Sequence, residues 1–185
     1  MPNSTKPSPT FLTHLSSFTS PSHPHLITLT SSLKSSLSLG LNFPASVILT
    51  IGLRILYSPS WLLLSPPNLH TLRKNYTQLE NARLTQSSYS RSDLQALVPK
   101  DAGWVDRAHV LGLWTLAADT KTGKVRREDV EEFQKGTLME RLKERRKRRD
   151  RGSENVLPFW RGGPGSVRGH SWVVGRALGV RVYEE

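Results

Sequence analysis

The chain has 185 residues, no cysteine, and 26 Lys+Arg against 15 Asp+Glu, a formal charge of +11. The lack of cysteine excludes a disulfide scaffold, Cys-ligated zinc, iron–sulfur clusters and thiol nucleophiles. The first acidic residue is Glu80, so residues 1–79, with five basic residues and no carboxylate, exclude any carboxylate metal site or acid/base pair in that half.

Residues 1–40 hold 17 Ser/Thr and five of the 12 prolines, and residues 1–24 read as a flexible tail. That tail lacks the basic start, apolar run and cleavage site of a secretory signal, although its Ser-rich, acid-poor composition also suits a transit peptide. Leu26, Leu29, Leu33, Leu37 and Leu41 then recur at helical spacing. The opposite face is Ser and Thr, with Lys34 as its one charge. Such a helix suits the plane of a lipid interface or, equally, the edge of a core.

Residues 39–64 are the most apolar part of the chain. The run Leu41–Tyr57 supplies 17 residues, short of the roughly 20 needed for a spanning helix. Pro59, Pro66 and Pro67 break any continuing helix, because proline lacks the amide donor and clashes with the preceding turn. The pattern predicts a hairpin that enters an apolar phase, turns at Pro59 and returns along Trp61–Leu64. Its anchoring residues are Leu41, Phe43, Val47, Ile51, Pro59, Trp61, Pro66 and Pro67, with Tyr57 and Trp61 as interfacial aromatics. The alternative is a buried helix of a soluble domain.

From Glu80 onward the composition is that of a helical module. Ser90-Arg-Ser-Asp93 resembles a capping box ahead of Leu94–Val98, which Pro99 stops. A second helix is predicted over Trp104–Ala118, burying Val105, Ala108, Leu111 and Leu116. A third begins near Arg127, with Glu128 and Asp129 in its first turn, and continues through Leu138 and Leu142 into the basic run. The Gly-rich region 152–185 alternates around Trp172 and Val180–Tyr183, which predicts short strands.

The loop Ala118–Asp129 has the skeleton of an EF-hand. Gly123 falls at the sixth position, Val125 at the eighth, where loops pair, and Asp129 at the twelfth. Ala118, Thr120 and Thr122 occupy positions where a calcium loop needs anionic oxygens, so an EF-hand-like element without an ion is expected. The basic run includes Arg145, Arg146, Lys147, Arg148 and Arg149. It suits anionic lipid headgroups, a nuclear signal or a nucleic-acid patch; it lacks the interleaved aromatics of a single-strand binder. None of the six histidines makes a helical metal pair with an acid between.

The order of these segments resembles the caleosins, lipid-droplet proteins related to plant seed peroxygenases, in a divergent fungal-type form. The likeness runs over about residues 12–145: Leu39-Gly-Leu-Asn42, the apolar run, Tyr57-Ser-Pro-Ser-Trp61, then Gly103-Trp104, Leu116-Ala-Ala-Asp119, Gly123, Glu128-Asp-Val130 and Gly136-Thr-Leu138. It implies a mainly α protein of four parts: a tail over 1–24, an amphipathic helix and apolar hairpin over 25–67, a small degenerate EF-hand-like module over 68–150, and a Gly-rich basic tail over 151–185. It further implies a lipid monolayer or membrane surface as partner, on a lipid droplet or the endoplasmic reticulum, and a structural or weak haem peroxygenase role. The implied haem ligands are His14 and His70. The implied calcium loop, about Thr19–Thr30, has no carboxylate, so calcium is not expected. His14 lies in a Ser/Pro-rich stretch and no carboxylate precedes Glu80 to orient His70, so weak haem binding is expected. The competing reading is a basic mitochondrial or nuclear protein with an N-terminal targeting segment. Nucleic acid is not an expected partner.

Overall fold

Amphipathic stretches separated by Pro, Gly and Ser give a mainly helical chain, with eight α-helices among the described residues. The computed structural model describes residues 10–57, 65–72, 77–147, 156–180 and 182–183. Pro59, Trp61, Arg148 and Arg149, and the predicted turn and return of the hairpin, lie outside them.

Helix α1 (Thr10–Ser16) and the turn after it bury Leu15 and Phe18 in the main core. The end of the predicted tail is therefore part of the fold. Residues 25–27 run beside 67–69: the Ile27 amide donates to the Pro67 carbonyl (2.9 Å) and the Leu69 amide to the His25 carbonyl (2.8 Å). Helix α2 (Leu29–Ser38) starts at a Thr28/Ser31 capping box, which satisfies amides the first turn leaves without partners.

The face that α2 buries corrects the sequence reading. Ser31, Ser32, Ser36 and Leu37 are inside, while Leu29 is 49% exposed. Small hydroxyl side chains can be buried because backbone carbonyls accept their protons. Ser31 Oγ donates to Phe18 O (2.7 Å), Ser32 Oγ to Thr28 O (2.8 Å) and Ser36 Oγ to Ser32 O (2.8 Å). Their small volume lets α3 (Phe43–Tyr57) lie close alongside. Helix α3 buries Ser46, Thr50 and Leu53 and leaves much of its Ile side outward. No helix among the described residues is long and apolar enough to cross a membrane. With 15 residues, α3 reaches only about 22 Å.

Helix α4 (Arg91–Ala96) begins at the predicted Ser90/Asp93 capping box. Helix α5 (Trp104–Ala117) buries Asp106, Val110, Leu113, Leu116 and Ala117. Leu116 is inward as predicted, whereas Leu111 is 41% exposed and Ala108 half-buried. The predicted third helix is two, α6 (Arg127–Lys135) and α7 (Leu138–Lys147). Gly136, left-handed at φ 85°, ends the first, a conformation other residues adopt at a cost. Strands β1 (Ser88–Tyr89) and β2 (Val125–Arg126) pair antiparallel, with Tyr89 opposite Val125. Both residues are fully buried among Leu94, Val130 and Leu138 of the same core.

The Gly-rich C-terminal region forms a helix, α8 (Val167–Leu178), rather than the predicted strands. Val174, Val182 and Tyr183 pack with Leu37 of α2. Ahead of it, residues 157–163 dock on the start of α3. The Asn42 amide donates to Gly162 O (2.6 Å) and Asn42 Nδ2 to Gly163 O (2.9 Å), while Asn42 Oδ1 accepts from the Ala45 amide (2.9 Å). Asn42 therefore caps α3 and ties it to a segment 120 residues away. A Cβ on Gly163 would lie 1.7 Å from the Leu157 carbonyl oxygen, so backbone must move. Gly163→Ala is expected to remove about 3 kcal/mol of stability, read as a fall in melting temperature of roughly 6–12 °C. A melting curve within a degree of the parent chain would contradict that docking.

Candidate functional site

The N-terminal half of α3, the C-terminal half of α5 and the turn at 159–162 enclose an open groove of about 630 Å³. That volume is within the range of small-ligand sites, about 300–1,000 Å³. Its walls are mainly apolar: Ala45, Ile48 and Leu49 from α3, and Ala108, Leu111 and Leu116 from α5. Arg91 and Arg161 are the charged residues lining it, and Trp114 and Trp160 stand beside them. The Arg161 guanidinium lies 5.4 Å from the Trp114 ring centre and 5.6 Å from that of Trp160. At the other end of α3, the Tyr57 hydroxyl and His109 Nε2 are hydrogen-bonded at 2.9 Å. Burial, with the Asp106 carboxylate adding to it, pushes the Tyr57 hydroxyl well above its ordinary range.

A wider apolar surface continues from this groove along α3. Ile48 is 71% exposed, Ile51 44% and Ile55 62%, and on the groove's other lip Phe159 and Trp160 are 73% and 67% exposed. Apolar side chains usually meet water singly, so a continuous set marks an interaction surface. Of the predicted anchoring residues, Phe43 and Ile51 are exposed and Val47 is half-buried. Leu41 is 4% exposed and Pro67 is buried; both belong to the interior, and Pro66 is half-buried beside them.

His14 and His70 occupy neighbouring elements, since α1 packs beside the short helical turn 69–71. Their rings do not share an environment. His14 is 3% exposed, its Nε2 donates to the Phe133 carbonyl (2.8 Å), and its ring stacks on Phe133 at 4.5 Å. His14 is thus firmly held, contrary to the sequence expectation. Its Nδ1 is buried without a hydrogen-bond partner. His70 is exposed beside His25, with ring centres 5.5 Å apart. An axial ligand needs an available ring nitrogen and room for the macrocycle; at His14 the Phe133 carbonyl takes Nε2 and the Phe133 ring stacks on the imidazole, which leaves only the buried Nδ1.

Burial holds the His14 imidazole below its ordinary value of 6.5, and burial does the same at His170. The unfolded chain takes up these protons near pH 6.5 while the folded chain resists them. Their contribution to stability is therefore complete above that pH and is lost as pH falls through it towards the folded values. The urea midpoint is expected to fall below pH 6.5, and His14→Gln, which can still donate to Phe133 O, to flatten part of that slope. A midpoint constant from pH 7.5 to 5 would refute this.

Among the described residues of the basic run, Arg145 and Arg146 are tied into the fold. Arg146 is 4% exposed and donates to Leu116 O (2.9 Å) and Leu39 O (3.4 Å). Burial pushes it down to about 10, so it stays cationic at neutral pH. Arg145 meets the buried Asp129 at 2.5 Å, and Lys147 meets Glu144 at 2.7 Å. The expected lipid-facing patch thus loses Arg146, and Arg145 and Lys147 already hold carboxylates, because α7 lies against α6 and the segment before α3. Among the described residues, no group of three or more His, Asp or Glu is arranged to hold a metal ion.

Sequence reasoning missed Arg161, Trp160 and the groove they border. The signal available was Phe159-Trp160-Arg161 ahead of a glycine pair, an aromatic and cationic cluster inside a region read as a tail. Among known proteins, no family model, no curated protein and no solved structure matches this chain.

Proposed function

We propose that this chain is a lipid-surface protein of caleosin type that lies on a monolayer or membrane through the outer side of α3 and the 159–160 lip. The observation that carries this is the exposed Ile48, Ile51 and Ile55 series beside Phe159 and Trp160. An apolar face with aromatic residues at its margin suits the boundary between headgroups and acyl chains, where rings sit favourably. Contact along this flank is available because Leu41 and Leu53, on the other side of the helix, hold α3 to the core. The surface source is a lipid droplet or the endoplasmic reticulum, and the role is structural.

We further infer an ion-free EF-hand pair behind this face. Tyr89 and Val125 pair as the eighth positions of two loops do, and each is followed four residues later by an aspartate in the first turn of a helix, Asp93 and Asp129. The loops are then 82–93 and 118–129, while Thr19–Thr30 leads through a turn into α2. Neither loop offers the convergent oxygen set of a calcium site. A fluorescently tagged full chain, imaged with a neutral-lipid dye, is expected to ring droplets. Labelling of the nucleus or mitochondria with bare droplets would overturn the surface reading.

A further inference from the structure

We propose that the groove between α3, α5 and the 159–162 turn binds one single-chain lipid with a phosphate head, the phosphate on Arg161 and Arg91 and the chain along Leu111 and Ile48. The starting point is a buried cation without an ion-pair partner among the described residues. Arg161 is 4% exposed, and its Nε and Nη2 donate to the Thr115 and Ala118 carbonyls at 3.0 and 2.5 Å. Those two bonds fix the guanidinium at the end of α5. Its Nη1 has no hydrogen-bond partner. Buried charges are normally paired, because an unmatched donor loses water and gains nothing. No carboxylate among the described residues forms an ion pair with Arg161. Asp119 lies close enough to act on its charge, but its Oδ1 is taken by the Lys121 and Thr122 amides at 2.9 and 2.8 Å.

A second cation borders the same groove. The Arg91 guanidinium lies 5.9 Å from the Trp114 ring centre, on the ring that Arg161 also faces. Two guanidinium groups on an apolar channel call for an amphiphile. Guanidinium forks match phosphate oxygens bidentately, and a phosphomonoester brings up to two charges where a carboxylate brings one. The walls beyond the arginines are aliphatic, and the volume of about 630 Å³ suits one chain and a compact head rather than a two-chain lipid. The inference rests on the lipid-surface reading for the source of the ligand, since the α3 face that meets the surface is also the groove's wall.

The test titrates the full chain with oleoyl lysophosphatidic acid below its micellar concentration, followed by tryptophan emission and calorimetry. Oleoyl lysophosphatidylcholine, oleate and inorganic phosphate are the comparators. One lysophosphatidate is expected to bind per chain, each comparator at least about tenfold more weakly, as the loss of a charge-assisted hydrogen bond implies. Arg91→Gln and Arg161→Gln are each expected to weaken binding by roughly tenfold or more on the same basis. Gly112 lines the groove on α5, and a Cβ there meets nothing within 4 Å. Gly112→Phe therefore starts its side chain in open space on the groove wall and is expected to block the channel and abolish binding. If Arg161→Gln unfolds for want of its α5 contacts, Arg91→Gln and Gly112→Phe decide. Equal binding of lysophosphatidylcholine, tighter binding of oleate, equal binding of free phosphate, or an unaffected Gly112→Phe chain overturns the assignment. A chain that coats droplets but takes no lysophosphatidate overturns the groove site alone. Saturable lysophosphatidate binding by a chain that never reaches droplets supports the groove site and overturns the surface reading.

Discussion

Replacing Ile48, Ile51 and Ile55 together by lysine is expected to abolish association with neutral-lipid emulsions while leaving the fold intact. The three side chains are 71%, 44% and 62% exposed, so they contribute little to the core, and exposed substitutions usually change stability by less than about 0.5 kcal/mol. At a lipid surface each isoleucine transfers apolar area out of water. Even ~1 kcal/mol per residue, half or less of full burial, gives ~3 kcal/mol and more than a hundredfold in partitioning. The emulsion should be triglyceride coated with phosphatidylcholine, because anionic lipid would attract the new lysines and mask the loss. Flotation reads the bound fraction, and circular dichroism the fold. The triple variant floating as well as the parent chain would remove α3 from the interface. Leu53→Lys is the contrasting control: Leu53 is 7% exposed and belongs to the core, so it should lose its fold as well as its binding.

The second large effect is expected at Asp129. This carboxylate is 1% exposed and sits in the first turn of α6. It accepts from Arg145 Nη2 at 2.5 Å and Nη1 at 3.2 Å, with Arg141 Nε at 3.9 Å. Removing one partner of a buried pair leaves the other charge uncompensated, typically at about 3–5 kcal/mol. The Arg145 side chain is 27% exposed and can turn towards water, so the lower end applies, about 3 kcal/mol for Asp129→Ala. For a chain of this length that is a fall of roughly 6–12 °C in melting temperature. Adding Arg145→Met should recover part of it, because the stranded cation is gone. A melting temperature for Asp129→Ala equal to the parent's, or no coupling in the double variant, would show that the pair carries no stability. The same contacts bear on cation binding: two guanidinium groups stand at Asp129, the loop's one carboxylate in a ligand position. Calorimetry at millimolar calcium is expected to show no heat of binding, and a micromolar site would refute it.

Helix content and several boundaries were legible from residue patterns alone. Ser90 and Asp93 specified the start of α4, Pro99 its end, and Glu128 with Asp129 the first turn of α6, because caps and dipoles act over a few neighbouring residues. Gly123 and Val125 marked a turn followed by an extended residue, and Val125 pairs with Tyr89 across a short antiparallel ladder. Its partner, Tyr89, was hidden because a two-residue strand has too short a pattern to mark which distant segment it meets.

What only the tertiary structure decided is which face points inward and what distant segment lies against it. The leucine stripe and serine face of α2 fit both a lipid surface and a core edge; carbonyl partners for Ser31, Ser32 and Ser36 made the serine side buriable, and α3 came to lie beside it. The charge run 141–149 gave no sign that Arg146 would reach the Leu116 and Leu39 carbonyls inside the protein. Asn42 caps α3 locally, yet its bonds to Gly162 and Gly163 depend on a turn 120 residues later. Composition fixes how much apolar surface and charge a chain carries. Burial, and therefore the groove beside Arg161, is set by contacts between segments whose pairing no single stretch of sequence encodes.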